Sequence, residues 1–127
     1  MTNLKRTAIF TNTVNLEEEG TFDGRITDVR YEKIPSQYHS SGFREALAIE
    51  VELNDHALVD ERFYFVPSIS WHPNSKLMQM LRALDMVPAI GEDLNLASFT
   101  NLPVKVVFTI TESNGVKFSN ISQLTKF

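Results

Sequence analysis

The chain has 127 residues, a formal net charge of −4 at neutral pH, 43% hydrophobic and 22% charged residues, and no cysteine. That length and composition fit one globular domain with a real core and exclude an intrinsically disordered chain, a disulfide framework and a cysteine zinc site. The missing cysteines also fit a reducing, cytoplasmic setting, and no apolar run approaches the roughly 18 residues of a membrane span.

Residues 1–18 read as a polar N-terminal arm that ends in Glu17-Glu18-Glu19, and residues 19–127 as the folded domain. Lys5 and Arg6 are followed by no long apolar stretch, so a signal peptide is not expected. The first strand is predicted over 20–34. Phe22, Gly24 and Ile26 alternate on one face; Val29 and Tyr31 then take up the pattern shifted by one residue, as a bulge would produce. Gly24 would let such a long strand coil sharply. A Ser- and aromatic-rich loop follows over 35–42.

The second strand, 46–53, alternates cleanly, with Leu47, Ile49, Val51 and Leu53 large and apolar between Ala and Glu. Asn54-Asp55-His56 reads as a tight turn, and 57–66 as the returning strand, with Val59, Phe63 and Phe65 inward and Asp60, Arg62 and Tyr64 outward. Pro73 with Asn74 or Ser75 signals a helix start. Leu77, Met80, Leu81 and Leu84 form its apolar stripe, and Pro88 is expected to stop it. Residues 93–100 connect, with room for one helical turn. Val104, Val106, Phe108 and Ile110 mark strand four, Asn114-Gly115 a hairpin turn, and 116–121 strand five.

The order β-β-β-α-β-β is that of a five-stranded OB-type barrel, all-β with one helix that would plug the open end. An open α+β sheet packing one helix is the alternative. The frame of Gly20-Thr21-Phe22-Asp23-Gly24-Arg25-Ile26, Phe63-Tyr64-Phe65, Ser75-Lys76-Leu77 and Gly91-Glu92-Asp93-Leu94, leading into Leu102-Pro103-Val104-Lys105-Val106, resembles small OB-fold single-stranded DNA-binding proteins of bacterial phages and conjugative elements. The resemblance spans 20–121. It implies binding of single-stranded DNA with little sequence preference, during replication or transfer of a phage or mobile element, with replication or transfer proteins as partners. The chain ends Thr125-Lys126-Phe127 where many bacterial single-strand binders carry an acidic tail, so tail-mediated recruitment is not implied.

Binding a single strand requires cations along the phosphates and flat side chains on which bases stack. In an OB barrel these sit on the outer face of strands two and three and in the flanking loops. The candidate nucleic-acid-binding residues are Arg25, Lys33, Tyr38, Phe43, Arg44, Arg62, Tyr64, Trp71, Lys105 and Lys117. Each has a plainer reading. Tyr38 and Phe43 could anchor their loop, Tyr64 could pack across strands, Trp71 could staple the helix, and Lys105 and Lys117 could be solvated lysines. Phe63 and Phe65 read as core. Glu50 and Glu52 on the outer face of strand two oppose phosphate, as does the overall acidity. A homo-oligomer would gain affinity along a strand by linking several sites.

Catalysis is not expected. His39, His56 and His72 lack metal-ligand spacing, no nucleophile elbow surrounds Ser68 or Ser70, and the five glycines are scattered, so no metal or cofactor is implied. The rival reading from another class is a protein–protein adaptor on the same fold, for which net acidity is no handicap.

Overall fold

The computed structural model describes residues 19–54 and 61–127. The expected arm, the turn at Asp55-His56 and the first part of strand three, with Val59 and Asp60, lie outside the described residues. Five antiparallel strands form one sheet: β1 (Gly20–Pro35), β2 (Phe43–Leu53), β3 (Phe63–Phe65), β4 (Pro103–Ser113) and β5 (Val116–Lys126). One helix, α1 (Lys76–Ala83), and a single 3₁₀ turn (Leu96–Phe99) lie between β3 and β4. The hydrogen-bonded order is β3-β2-β1-β4-β5. The sheet is therefore open, with β3 and β5 as its edges, although these two strands approach each other and share the core.

β1 organises the sheet because it pairs on both sides. Gly20 to Arg25 run against β4, and Gly24 to Pro35 against β2. Gly24 is needed where the two pairings overlap: a Cβ there would lie 2.6 Å from the Glu52 carbonyl oxygen and 3.3 Å from Val106 Cγ2. Just beyond, the register with β2 slips between Ile26 and Asp28, which leaves Thr27 as the bulged residue. The inward phase changes there from Phe22, Gly24 and Ile26 to Val29 and Tyr31, as the sequence pattern predicts. At the same point β1 leaves β4, and the Ile26 backbone turns to the connector instead. Its N–H donates to the Leu102 carbonyl at 2.9 Å, and its carbonyl accepts from Asn101 N–H at 2.7 Å.

The inner faces of β1, β2, β4 and β5, together with Phe63 and Phe65, bury one apolar core. Phe108 is at its centre, edge-on to Phe63 at 5.1 Å and to Phe22 at 5.6 Å between ring centroids. β2 buries more than the one face that its alternation suggests. Ala46 and Ala48 are also buried, Ala46 being bridged to Ser68 in the strand-like run after β3. β5 continues five residues past Ile121, because a second register slip opposite Val107 and Phe108 leaves Ser122 unpaired and moves the inward phase from Ile121 to Leu124.

The helix begins where expected. The Ser75 hydroxyl accepts from Met78 N–H at 3.1 Å and donates to the Ser70 carbonyl at 2.8 Å. Leu77, Met80, Leu81 and Leu84 are all buried. The helix stops well before Pro88, which corrects the expectation. Asp85 adopts φ 58°, Met86 N–H reaches back to the Leu81 carbonyl at 2.8 Å, and Asp85 N–H to that of Arg82 at 3.1 Å. This is a left-handed cap with an aspartate where glycine is usual. The Asn114-Gly115 turn has both residues at positive φ, 53° and 78°, and closes the β4–β5 hairpin as its sequence predicts.

Candidate nucleic-acid interface

The outer face of the sheet carries four of the expected site residues, Arg25, Arg62, Tyr64 and Lys105, and all four are engaged with carboxylates. Arg25 pairs with Glu52 at 3.2 Å, while Arg62 contacts Glu50 at 3.6 Å and Glu52 at 3.7 Å. Glu50 also accepts from the bulge residue Thr27 at 2.7 Å and from the Tyr64 hydroxyl at 2.9 Å. Burial first, and then the hydrogen bond to Glu50, hold the Tyr64 hydroxyl above the usual tyrosine range. Further along, Arg30 pairs with Asp28 at 3.1 Å and Lys105 with Asp23 at 3.2 Å. Each cation of this ladder faces an anion. Partly exposed pairs of this kind add little stability, but they leave the face close to neutral.

The remaining loop-side candidates converge elsewhere. Past the core, the odd residues of β1 and β2 continue on the inner side of a projecting hairpin, where register places Tyr31 opposite Leu47, Lys33 opposite Glu45 and Pro35 opposite Phe43. The hairpin tip is a compact loop closed by Ser36 N–H to the Gly42 carbonyl and Gly42 N–H to that of His39, both at 2.9 Å, with Gly42 at φ 81°. Tyr38 stands out at this tip, 87% exposed, and is no anchor. Beside the hairpin, residues 66–69 run along β2: Leu47 N–H donates to the Pro67 carbonyl at 3.0 Å, and Ile69 N–H to that of Glu45 at 2.8 Å. Arg44 is held across this gap by bonds from Nη1 to Ser68 Oγ at 2.7 Å and to the Val66 carbonyl at 3.2 Å.

Three adjoining hollows result. One of about 420 Å³ is lined by Lys33, His39, Phe43, Arg44, Glu45 and Ile69, among others. A second of about 310 Å³ shares Arg44 and Ser68 with it and reaches Lys76 at the start of α1. The third, of about 190 Å³, shares Ile69 with the first and lies between Tyr31 and Trp71 over Leu47, Leu77, Leu94 and Leu96. Together they make one groove. Tyr31, Phe43 and Trp71 are each about half exposed along it. Among the described residues, no carboxylate lies within ion-pair distance of Lys33, Arg44 or Lys76. The one carboxylate in the lining, Glu45, accepts the Tyr31 hydroxyl, and that hydrogen bond is the main cause of the raised Tyr31 pKa.

The structure thus brings Lys33, Phe43, Arg44 and Trp71 together, with Tyr38 on the adjoining tip, and separates them from Arg25, Arg62 and Tyr64. Lys105 and Lys117, on the β4–β5 hairpin, line none of the three hollows, and the Lys105 ammonium also sits 5.3 Å from the Phe127 ring centroid. Sequence reasoning missed Tyr31, Ile69 and Lys76. Tyr31 keeps the inward phase but lies beyond the rim of the core; the polar residues that follow it, Glu32 and Lys33, are the signal that could have shown this. Nothing in the sequence brings Lys76 toward Arg44, because that proximity depends on the path of 66–75.

Among the described residues, no three His, Asp or Glu side chains come together as a metal site, and no helix is long and apolar enough to cross a membrane. No protein family matches the sequence, and no curated protein is detectably similar to it.

Proposed function

We propose that this protein binds single-stranded DNA with little sequence preference, through the groove between the β1–β2 hairpin, residues 66–71 and the start of α1. The observation that carries the reading is the convergence of three cations without a carboxylate partner among the described residues, Lys33, Arg44 and Lys76, with three half-exposed aromatic rings, Tyr31, Phe43 and Trp71. Such a groove offers phosphates a positive track and bases flat apolar surfaces, and neither requirement depends on base identity. The overall charge of −4 is no obstacle, because the acids of the sheet face are matched by Arg25, Arg30 and Arg62 and the groove carries a local excess of positive charge.

The fold belongs to the same proposal: an OB-type barrel whose hydrogen bonding is interrupted between β3 and β5. In support, β1 pairs with both β2 and β4, the helix falls between the third and fourth strands, and the two sheet edges approach each other. The setting, replication or transfer of a phage or mobile element, rests on the sequence resemblance alone.

Titration of the intrinsic fluorescence of Trp71 with oligo(dT) at two salt concentrations tests the reading. A saturable change that weakens as salt rises is expected. No change at low salt, with no binding in a parallel anisotropy titration of labelled oligo(dT), overturns it and leaves the adaptor function.

A further inference from the structure

The three hollows differ in character, and the smallest is distinctive. Its side chains are those of Tyr31, Leu47, Ile69, Trp71, Leu77, Leu94 and Leu96. Only two of them carry a polar atom: the Tyr31 hydroxyl, already donated to Glu45, and the Trp71 indole N–H. At about 190 Å³ it is smaller than the roughly 300–1,000 Å³ of sites that engulf a drug-sized molecule. It has room for one planar ring system, and two aromatic side chains stand at its mouth. The cations lie in the neighbouring hollows, reached across Ile69 and Arg44.

We infer that this hollow is a base cup that favours thymine, and so tunes the groove toward DNA over uracil-containing strands. The inference rests on the single-strand reading above and goes one step further. A hollow lined mostly by aliphatic side chains, with the Trp71 indole N–H as its one donor besides the Tyr31 hydroxyl already given to Glu45, offers little to a base's hydrogen-bonding edge. It does respond to apolar surface. Thymine differs from uracil by one 5-methyl group, and burying a methyl-sized group against aliphatic side chains contributes about 0.8 kcal/mol, an affinity ratio of about fourfold per filled cup. The charge arrangement selects a nucleotide over an apolar peptide side chain as the occupant: a ring in the cup has Lys33, Arg44 and Lys76 placed along the adjoining groove for its flanking phosphates.

The test compares the full chain binding to oligo(dT) and oligo(dU) of equal length, which differ only in the methyl groups. Anisotropy of a labelled strand is the readout, with the Trp71→Ala and Leu94→Asn variants alongside. The expected result is a dT preference of about fourfold that falls toward unity in both variants, with circular dichroism confirming that they are folded. Trp71 is half exposed, so its replacement leaves the core intact even if Leu94→Asn disturbs it. Equal, tight binding of dT and dU overturns the cup while the nucleic-acid function stands. A preference that survives Trp71→Ala places the methyl elsewhere and overturns it too. Binding of neither strand overturns the underlying function and the cup with it.

Discussion

The groove and the sheet face can be told apart by how binding responds to salt. Each phosphate neutralised on a single strand contributes about 0.7 to the slope of log affinity against log salt. Lys33, Arg44 and Lys76 line the groove without carboxylate partners among the described residues, so they account for a slope of about −2 if each meets one phosphate. Raising salt from about 50 to about 200 mM then costs roughly 20-fold in affinity through these three contacts. Replacing all three by alanine should make the slope shallower by about 2 and weaken binding most at low salt. The control is the paired change Arg25→Gln with Glu52→Gln, which removes the Arg25–Glu52 pair and the Arg62–Glu52 contact at constant net charge and leaves Arg62 paired with Glu50. Its slope should equal that of the unaltered protein, because a guanidinium already matched by a carboxylate adds no net positive charge. The assay is anisotropy of labelled oligo(dT) over a salt series. An unchanged slope in the triple variant, or a shallower one in the paired control, would put the phosphates on the sheet face and refute the location of the site.

Two further outcomes concern the fold and its titration. Gly24→Ala should destabilise the domain by about 3 kcal/mol, the upper end of what overpacking costs, because the added Cβ meets the Glu52 backbone carbonyl at 2.6 Å. In thermal melts that corresponds to a fall of roughly 10 °C in Tm, and an unchanged Tm would mean that β1 is not clamped between two partners there. Tyr64 holds its proton above the usual tyrosine range in the folded state. It therefore contributes stability that is fully present below the unfolded value of about 10 and is lost as pH rises through the folded value. Tyrosinate absorbance should show a late phase, shared with Tyr31, that Tyr64→Phe reduces, and stability in urea should decline above pH ~10 in the native sequence.

Much of the architecture was legible because it follows from local chemistry. The Asn114-Gly115 turn, the Ser75 cap, the β2 alternation and the phase change in β1 each rest on a few residues whose preferences agree with the fold. The misses have equally local causes. Asp85 takes the left-handed position that normally announces itself as glycine, so sequence alone points to Pro88 as the helix end. The Ser122 bulge breaks the alternation, so the pattern alone ends β5 at Ile121. Ala46 and Ala48 are too small to signal burial by hydrophobic pattern, and residues 66–69 make one of them interior.

The site was only half legible. Residue types were enough to nominate Lys33, Phe43, Arg44 and Trp71. The sequence also showed Glu50 and Glu52 opposing phosphate on the sheet face. What neutralises them depends on register: Arg25 lies opposite Glu52, and Tyr64 opposite Glu50. Those pairings exist only once three strands have been aligned, and they neutralise the sheet face while leaving the cations of the hairpin side without carboxylate partners among the described residues.

The single extra residue at Thr27 also separates two jobs along one strand. Before it, β1 is fixed on both flanks; after it, the strand pairs, among the described residues, with β2 alone and runs out past the core. Changes of length or composition in 36–42 can therefore reshape the tip without disturbing the packing of Phe22, Ile26 or Phe108. The proposed recognition surface can diversify by loop exchange while the scaffold beneath stays the same.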